Sequence, residues 1–334
     1  MRECLLFDVG HRMRMRIELD VSLDPTLGCG QAHRWRKSGE WWEGVVGRDV
    51  VRLRQVEGGL EAEGCSDRAA LLRYLRSEDD LRAIASEISE RDPYVASLSE
   101  SCPGLRILAQ GHWECLATYL LATNANVARI AKMVESVCDA FGDDLGPRRA
   151  FPTPSQILDG ADRISECRLG FREGRLLELA HRVEDGEVDP DAIAGLDYEG
   201  CVGALMGISG VGPKVADCVA IFGYGHLEAF PVDVRIAQVM ERVYGVKGSY
   251  KAVSAYGRER FGRYAGYAQE LLYHSKFIGA RRPPRRRTAG TPPWSWSISR
   301  RGGRSPRPPR RGGRSRRRRR PRGLCARRRP ARRR

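Results

Sequence analysis

Lysine and acidic residues are both missing from one end of the chain. Between Ala280 and Arg334 there is no Lys, Asp or Glu, but there are 24 Arg. Residues 1–279 hold 34 basic and 42 acidic side chains, a net charge of −8, although the whole chain stands at +16. Global basicity is therefore no argument that the folded part binds nucleic acid, and any basic face on it must be a local patch. No two of the ten cysteines form a C-x-x-C pair, and none stands beside a His at metal-ligand spacing. This excludes a zinc site of ordinary pattern and predicts buried free thiols. No secretory signal opens the chain, and no apolar run approaches a membrane span. The expectation is an intracellular protein with no metal, no cofactor and no membrane partner.

What is present changes character along the chain. From Met13 to Leu23 every odd residue is apolar and the even ones are Arg14, Arg16, Glu18, Asp20 and Ser22. That period of two predicts a strand with one wet face. Short runs then alternate with turn signals at Ser38-Gly39, Gly47-Arg48-Asp49 and Gly58-Gly59, which predicts an antiparallel meander. After Ser66 the spacing turns helical. Ile130, Val134, Val137 and Phe141 form one stripe, ended by Gly142. Helices are predicted near 154–160, 173–183, 190–195, 198–205, after Gly212, near 233–243 and at 263–278. Strands do not alternate with helices, which excludes a βαβ sheet. The class is α+β, with an antiparallel N-terminal part (1–105), an all-α part (106–279) and a disordered Arg-, Pro- and Gly-rich tail (280–334). The tail reads either as a nucleic-acid-binding arm or as a non-native frame at the end of a GC-rich gene. Arg used without Lys, beside isolated Trp294 and Trp296, favours the second.

The most informative stretch runs from Leu205 to Lys214, Leu-Met-Gly-Ile-Ser-Gly-Val-Gly-Pro-Lys. A helix ends near Gly207, a tight Gly210-Val211-Gly212 turn follows, and a helix begins near Pro213. The free N–H groups of such a turn, with the new helix dipole, suit a DNA phosphate. Taken alone, the turn serves equally as an ordinary helix connection. Lys214 opens that helix against the dipole. It reads either as a snorkelling side chain or as an amine whose pKa is lowered by apolar surroundings, a nucleophile. Asp233, after Pro231-Val232, reads as a helix cap or as the partner carboxylate of that lysine.

Together these residues resemble the helix-hairpin-helix DNA glycosylases, and within them the 8-oxoguanine DNA glycosylases of eukaryotic type. Gly210-Val211-Gly212-x-Lys214-Val-Ala-Asp-Cys218 and Pro231-Val-Asp-Val234 carry the likeness, with Lys214 and Asp233 at the family's spacing. It spans Leu19 to Ile278. It implies a TBP-like sheet domain followed by a two-part all-α glycosylase domain, a monomer acting on double-stranded DNA that contains 8-oxoguanine, and catalysis by Lys214 and Asp233. Gly30-Gln-Ala-His-Arg-Trp35 resembles G-Q-x-F-R-W, with His33 in place of the aromatic. It implies that the Gly30 carbonyl accepts the N7–H borne only by the oxidised base. Cys218, Gln269 and Tyr273 complete the implied base pocket. Asn124, Arg129 and Arg172 correspond to residues that read the orphaned cytosine, and Phe171 to the wedge. Gly210, Val211, Gly212 and Arg235 correspond to phosphate contacts, Arg235 replacing a family His. Each has a plainer reading: Phe171 and Tyr273 as core aromatics, Asn124 and Asn126 as caps, Gly30 as a turn glycine. Their joint order along the chain supports the family.

Two alternatives stand beside this one. Another glycosylase of the superfamily would lack Lys214 or would carry four cysteines for an iron–sulfur cluster, and only Cys325 follows Asp233. A non-catalytic DNA-binding protein would need neither Lys214 nor Asp233.

Overall fold

The computed structural model describes residues 6–9 and 12–275. The tail expected from residue 280 lies outside them. Strands β1 (Leu6–Val9), β2 (Arg12–Glu18), β3 (Arg36–Ser38), β4 (Trp41–Val46), β5 (Asp49–Val56) and β6 (Gly59–Glu63) form one sheet, in the order β1-β2-β6-β5-β4-β3. All its pairings are antiparallel. The tight turns at Gly47 and Gly58 have φ of +60° and +75°, a region that glycine enters without steric cost. Inward side chains Met15, Ile17, Leu53, Leu60 and Ala62 build the sheet core with Leu71 of α2 (Arg68–Tyr74) and its C-cap Leu75. On the other face Glu63 stands opposite both Arg14 and Arg52 across neighbouring strands, and it pairs with each of them. Opposite charges at facing positions hold such a register.

The alternation from Met13 to Leu23 outlasts the strand. The strand ends at Glu18, and Leu23 instead opens helix α1 (Leu23–Gly28). Val21 and Leu23 are still buried, but by tertiary anchoring: Gly104 O accepts from Ser22 N at 2.7 Å, and Gln55 Oε1 accepts from Leu23 N at 2.9 Å.

The remaining helices share a second buried core. They are α3 (Leu81–Arg91), α4 (Pro93–Ser101), α5 (His112–Leu121), α6 (Val127–Phe141), α7 (Pro154–Asp159), α8 (Arg172–Glu184), α9 (Pro190–Ile193), α10 (Tyr198–Met206), α11 (Pro213–Phe222), α12 (Val234–Val239), α13 (Tyr250–Phe261) and α14 (Ala265–His274). The stripe of α6 is buried at Ile130, Val134, Val137 and Phe141. Helix α13 was absent from the sequence expectation, and its packing explains why. Its inward face is Val253, Ser254, Gly257 and Phe261, half of it small or polar. The ring of Phe230 lies where a Cβ on residue 257 would stand, 2.4 Å away, so the helix docks by lacking a side chain. The helix expected at 263–278 is correspondingly shorter and starts at Ala265.

The loop between α1 and β3 joins the two cores. Gln31 is buried, and its side chain donates to Thr26 O at 2.8 Å and to Arg106 O at 2.9 Å while accepting from Leu108 N at 2.8 Å. Its carbonyl accepts from Gln110 Nε2 at 2.7 Å and from Tyr119 Oη at 3.0 Å. Arg34 reaches Glu114 of α5 at 3.5 Å, and Trp35 Nε1 donates to Tyr74 Oη at 2.8 Å. Replacing Gln31 with Ala removes the side-chain partner of Arg106 O and Leu108 N and leaves Thr26 O only the Cys29 thiol. The expected loss is at least about 2 kcal/mol, read as a melting temperature lower by roughly 5 °C.

Candidate active site and DNA-facing cleft

Helices α10 and α11 form the hairpin. Gly210 has a φ of +84°, and a Cβ there would stand 2.7 Å from Arg175 Cδ and 3.1 Å from Leu120 Cδ1, so both backbone and clearance require glycine. Pro213 opens α11, where its missing N–H costs nothing. From Val215 to Phe222 every residue of α11 is buried. Lys214 is thus mounted on a rigid rod through the core. The rod is held from behind by Asp217, which is buried and accepts from Tyr198 Oη at 2.6 Å, from Ser254 Oγ at 3.3 Å and from the Tyr250 hydroxyl. This one carboxylate ties α10, α11 and α13 together. Burial pushes its pKa up, against those three hydrogen bonds. The motif in the sequence contains this Asp, but its role shows only in the packing.

Asp233 caps α12: its Oδ1 accepts from Ile236 N at 2.7 Å. Capping occupies one oxygen and leaves acceptor capacity on the carboxylate, which lines the same cleft as Lys214. The cleft measures about 790 Å³. Gly30, Cys218, Gln269 and Tyr273 line it, as do Asn124, Gly210, Gly212 and Arg235.

The charge state of Lys214 corrects the sequence expectation. The amine is half-buried, yet its pKa lies above the ordinary value, not below it. Attraction to the Cys218 sulfur is the first cause. It outweighs burial, and a hydrogen bond to Cys218 and the negative charge of Asp233 add to it. Burial in turn pushes the Cys218 thiol up to about 11, so the sulfur is protonated at neutral pH. The ammonium lies 5.5 Å from the centroid of the Tyr119 ring, a further contact that favours the cation. The resting enzyme therefore holds Lys214 protonated.

Two buried polar side chains in the cleft are unsatisfied among the described residues. Gln269, only 4% exposed, has no partner for Oε1. His33, 7% exposed, has none for either ring nitrogen. Burial, followed by the nearby Lys214 charge, lowers the His33 pKa to about 4, so the ring is neutral. It meets Tyr119 edge-on with centroids 6.0 Å apart, keeping the aromatic contact while adding two polar atoms. Gly30 has a φ of +94°, and a Cβ there would touch Val127 at 3.0 Å. Tyr273 carries the Arg235 guanidinium 4.1 Å from its ring centroid, a contact that the sequence did not announce.

Of the other expected DNA-facing residues, Asn124 stands on the cleft lining, and Arg129, Phe171, Arg172 and Val211 lie outside it. Asn124 is exposed in a left-handed turn with φ +54° and is not a cap, whereas Asn126 is the cap of α6. Arg129 is exposed and donates to Arg168 O. Phe171 is 54% exposed, with the Arg172 and Arg175 guanidinium carbons 4.3 and 5.1 Å from its ring centroid. Arg172 is buried and commits three of its five N–H groups to Thr123 O and Leu169 O. Val211 faces the core, and its N–H donates to Ile208 O at 3.0 Å.

A helical hairpin with a lysine at the head of its second helix, a capping carboxylate across the cleft and an N-terminal antiparallel sheet define a helix-hairpin-helix DNA glycosylase. Residues 15–116 match the family model described as the N-terminal domain of 8-oxoguanine DNA glycosylase. The chain is 32% identical over 283 residues to an N-glycosylase/DNA lyase of Arabidopsis thaliana, covering 76% of this chain and 77% of that protein. A probable N-glycosylase/DNA lyase of Methanothermobacter thermautotrophicus is 28% identical over 297 residues, with 78% and 95% covered. Among solved structures, the Clostridium acetobutylicum 8-oxoguanine glycosylase/lyase in complex with double-stranded DNA containing cytosine opposite 8-oxoG aligns with a TM-score of 0.76. Its identity is 26%, over 82% of this chain and 98% of that one. The chain belongs to the 8-oxoguanine DNA glycosylase family, the N-glycosylase/DNA lyases of DNA repair.

The two readings of Asp233 separate by substitution. Asp233→Ala removes both cap and carboxylate, and thermal unfolding should show a loss of about 1 kcal/mol. Asp233→Asn keeps a cap of equal rank and should unfold within about 0.5 kcal/mol of wild type. Both should lose base release, measured under single-turnover conditions.

Proposed function

We propose that this enzyme excises 8-oxoguanine opposite cytosine from double-stranded DNA through a Schiff base on Lys214, then nicks the strand by β-elimination. The observation that carries this reading is the convergence of Lys214, Asp233 and the unsatisfied Gln269 acceptor on one cleft, whose volume lies in the range of small-molecule sites.

The base must leave the stack to reach that cleft. Phe171, exposed and cushioned by two arginines, suits an apolar wedge that fills the gap. Asn124, Arg129 and the two uncommitted N–H groups of Arg172 are the candidates for the widowed cytosine. Gly210, Gly212 and Arg235 are the candidates for phosphates, and these contacts position the duplex without reading it. In the pocket Gly30 would accept from N7–H of the oxidised base, Gln269 would read its Watson–Crick edge, and Tyr273 and Cys218 would flank its faces. As the glycosidic bond breaks, positive charge develops on the sugar, and the Asp233 carboxylate stabilises it. The neutral Lys214 amine then attacks C1′. The same covalent imine makes the C2′ proton acidic, which permits elimination of the 3′ phosphate. The sheet part would hold the Gly30 loop, the helical part 106–279 would supply the catalytic pair, and one copy of the chain suffices.

Borohydride trapping on a duplex with one 8-oxoguanine opposite cytosine tests the reading. A covalent adduct is expected with wild type and none with Lys214→Gln. Base release by a folded wild type without an adduct would overturn the lysine mechanism. For the wedge, Phe171→Ala should slow excision at least about 10-fold, a loss of about 1.4 kcal/mol of transition-state stabilisation, with unchanged thermal stability because the ring is exposed. Stopped-flow excision and a melting curve on the same sample check both.

A further inference from the structure

The mechanism above leaves one carboxyl in the cleft without a task. Glu270 follows Gln269 on α14, lines the cleft with Lys214 and Asp233, and is only 5% exposed. A carboxyl this deeply buried is uncommon unless paired, and no ion pair to Glu270 occurs among the described residues. Its surroundings supply the reason to keep it. Lys214 rests as an ammonium and cannot attack until it gives up a proton, and the departing base must gain one.

We propose that Glu270 is the proton shuttle of this site, taking the proton from the Lys214 ammonium and delivering it to the leaving base. The inference rests on the reading of the cleft as a base-excision site. The balance closes. The proton passes from Nζ to a Glu270 oxygen, and the freed lone pair on Nζ forms the bond to C1′. The glycosidic electron pair leaves with the base, and the Glu270 proton neutralises it, returning the carboxylate. Nothing else is consumed.

The neighbours of Glu270 make it the group suited to this exchange near neutrality. Cys29 after α1, Tyr119 of α5, and Lys214 and Cys218 of α11 line the same cleft as Glu270. So do Asp233 at the start of α12 and Tyr273 of its own helix. Burial raises the Glu270 pKa to about 7, against the hydrogen bond from Cys29, with Asp233 raising it and Lys214 lowering it. His33 is neutral above about pH 4, Cys218 is a thiol below about 11, and burial pushes the Cys29 thiol well above its usual range. None of these three titrates near neutrality. A base seated in the cleft displaces water, and a drier site favours the neutral amine and neutral acid over the ion pair.

The sign follows. The shuttle needs Glu270 as a carboxylate at the start, so single-turnover excision should rise with pH through a midpoint near 7. In Glu270→Gln that limb should vanish, and the rate on its upper side should fall about 100-fold, the scale of a lost general acid–base. Glu270→Asp should keep the limb at a reduced rate. Borohydride trapping on a preformed abasic site should slow in Glu270→Gln along with excision, since the amine must be deprotonated there as well. A wild-type profile flat through neutrality would overturn the proposal, as would a Glu270→Gln variant with wild-type rate and profile. Failure of wild type to release 8-oxoguanine at all would instead strike the substrate reading on which it rests.

Discussion

The site depends first on the side chain of Gln31. A single amide, buried between the sheet core and the helical core, satisfies a carbonyl of α1, a carbonyl at Arg106 and the amide of Leu108 at once. Its own carbonyl holds the side chains of Gln110 and Tyr119. No apolar residue could replace it, because the Arg106 carbonyl and the Leu108 amide would lose their side-chain partner in a dry setting. The consequence for chemistry is positional. Gly30 sits directly before Gln31, so the loop edge offered to the cleft is fixed to α5, and Tyr119 of that helix is in turn the ring under the Lys214 ammonium. The sheet and Lys214 are registered to each other through one residue.

Much of this was legible in the sequence, and the reasons differ by residue. Strand and helix faces could be read where the buried side chains were large and periodic, as on β2 and α6. Helix α13 escaped because its buried face contains Ser254 and Gly257, and docking by an absent side chain leaves no hydrophobic signal. The end of β2 was misplaced because Val21 and Leu23 remain buried after the strand ceases, so the period survived while the geometry changed. In the site, Lys214 and Asp233 could be read from their spacing within a known pattern. Asp217 and Glu270 could not, since an acid inside an apolar helix looks like a solvated surface position until the three-dimensional partners are known.

The protonated state of Lys214 is the point where sequence reasoning about chemistry gave way. Apolar neighbours along α11 suggested a lowered pKa, but burial acts on a lysine only to the extent that no counter-charge shares the pocket. Here the Asp233 carboxylate does share it, and the neutral Cys218 thiol adds a hydrogen bond. A carboxylate that stabilises cationic character on the sugar also stabilises an ammonium beside it. On the proposed mechanism, the placement of Asp233 that helps the transition state therefore also holds the Lys214 amine protonated in the free enzyme. Some proton acceptor must then act once the substrate is in place.

Polar groups in this protein fall into two kinds by how completely they are satisfied. Gln31 and Asp217 each have three hydrogen-bond partners for their side chains, and each joins elements that must not move. Gln269 and His33 are also buried and line the cleft, but Gln269 Oε1 and both His33 ring nitrogens lack partners among the described residues. An unpaired buried polar atom costs about 1–3 kcal/mol, so each such atom lowers the stability of the empty cleft. A ligand with matching polar edges recovers that cost on entry, whereas an apolar or mismatched base does not, and the difference is discrimination. The rigid residues make this possible: without the fixed rod of α11 and the clamped loop at Gly30, the unsatisfied atoms would relax onto one another and their preference would be lost.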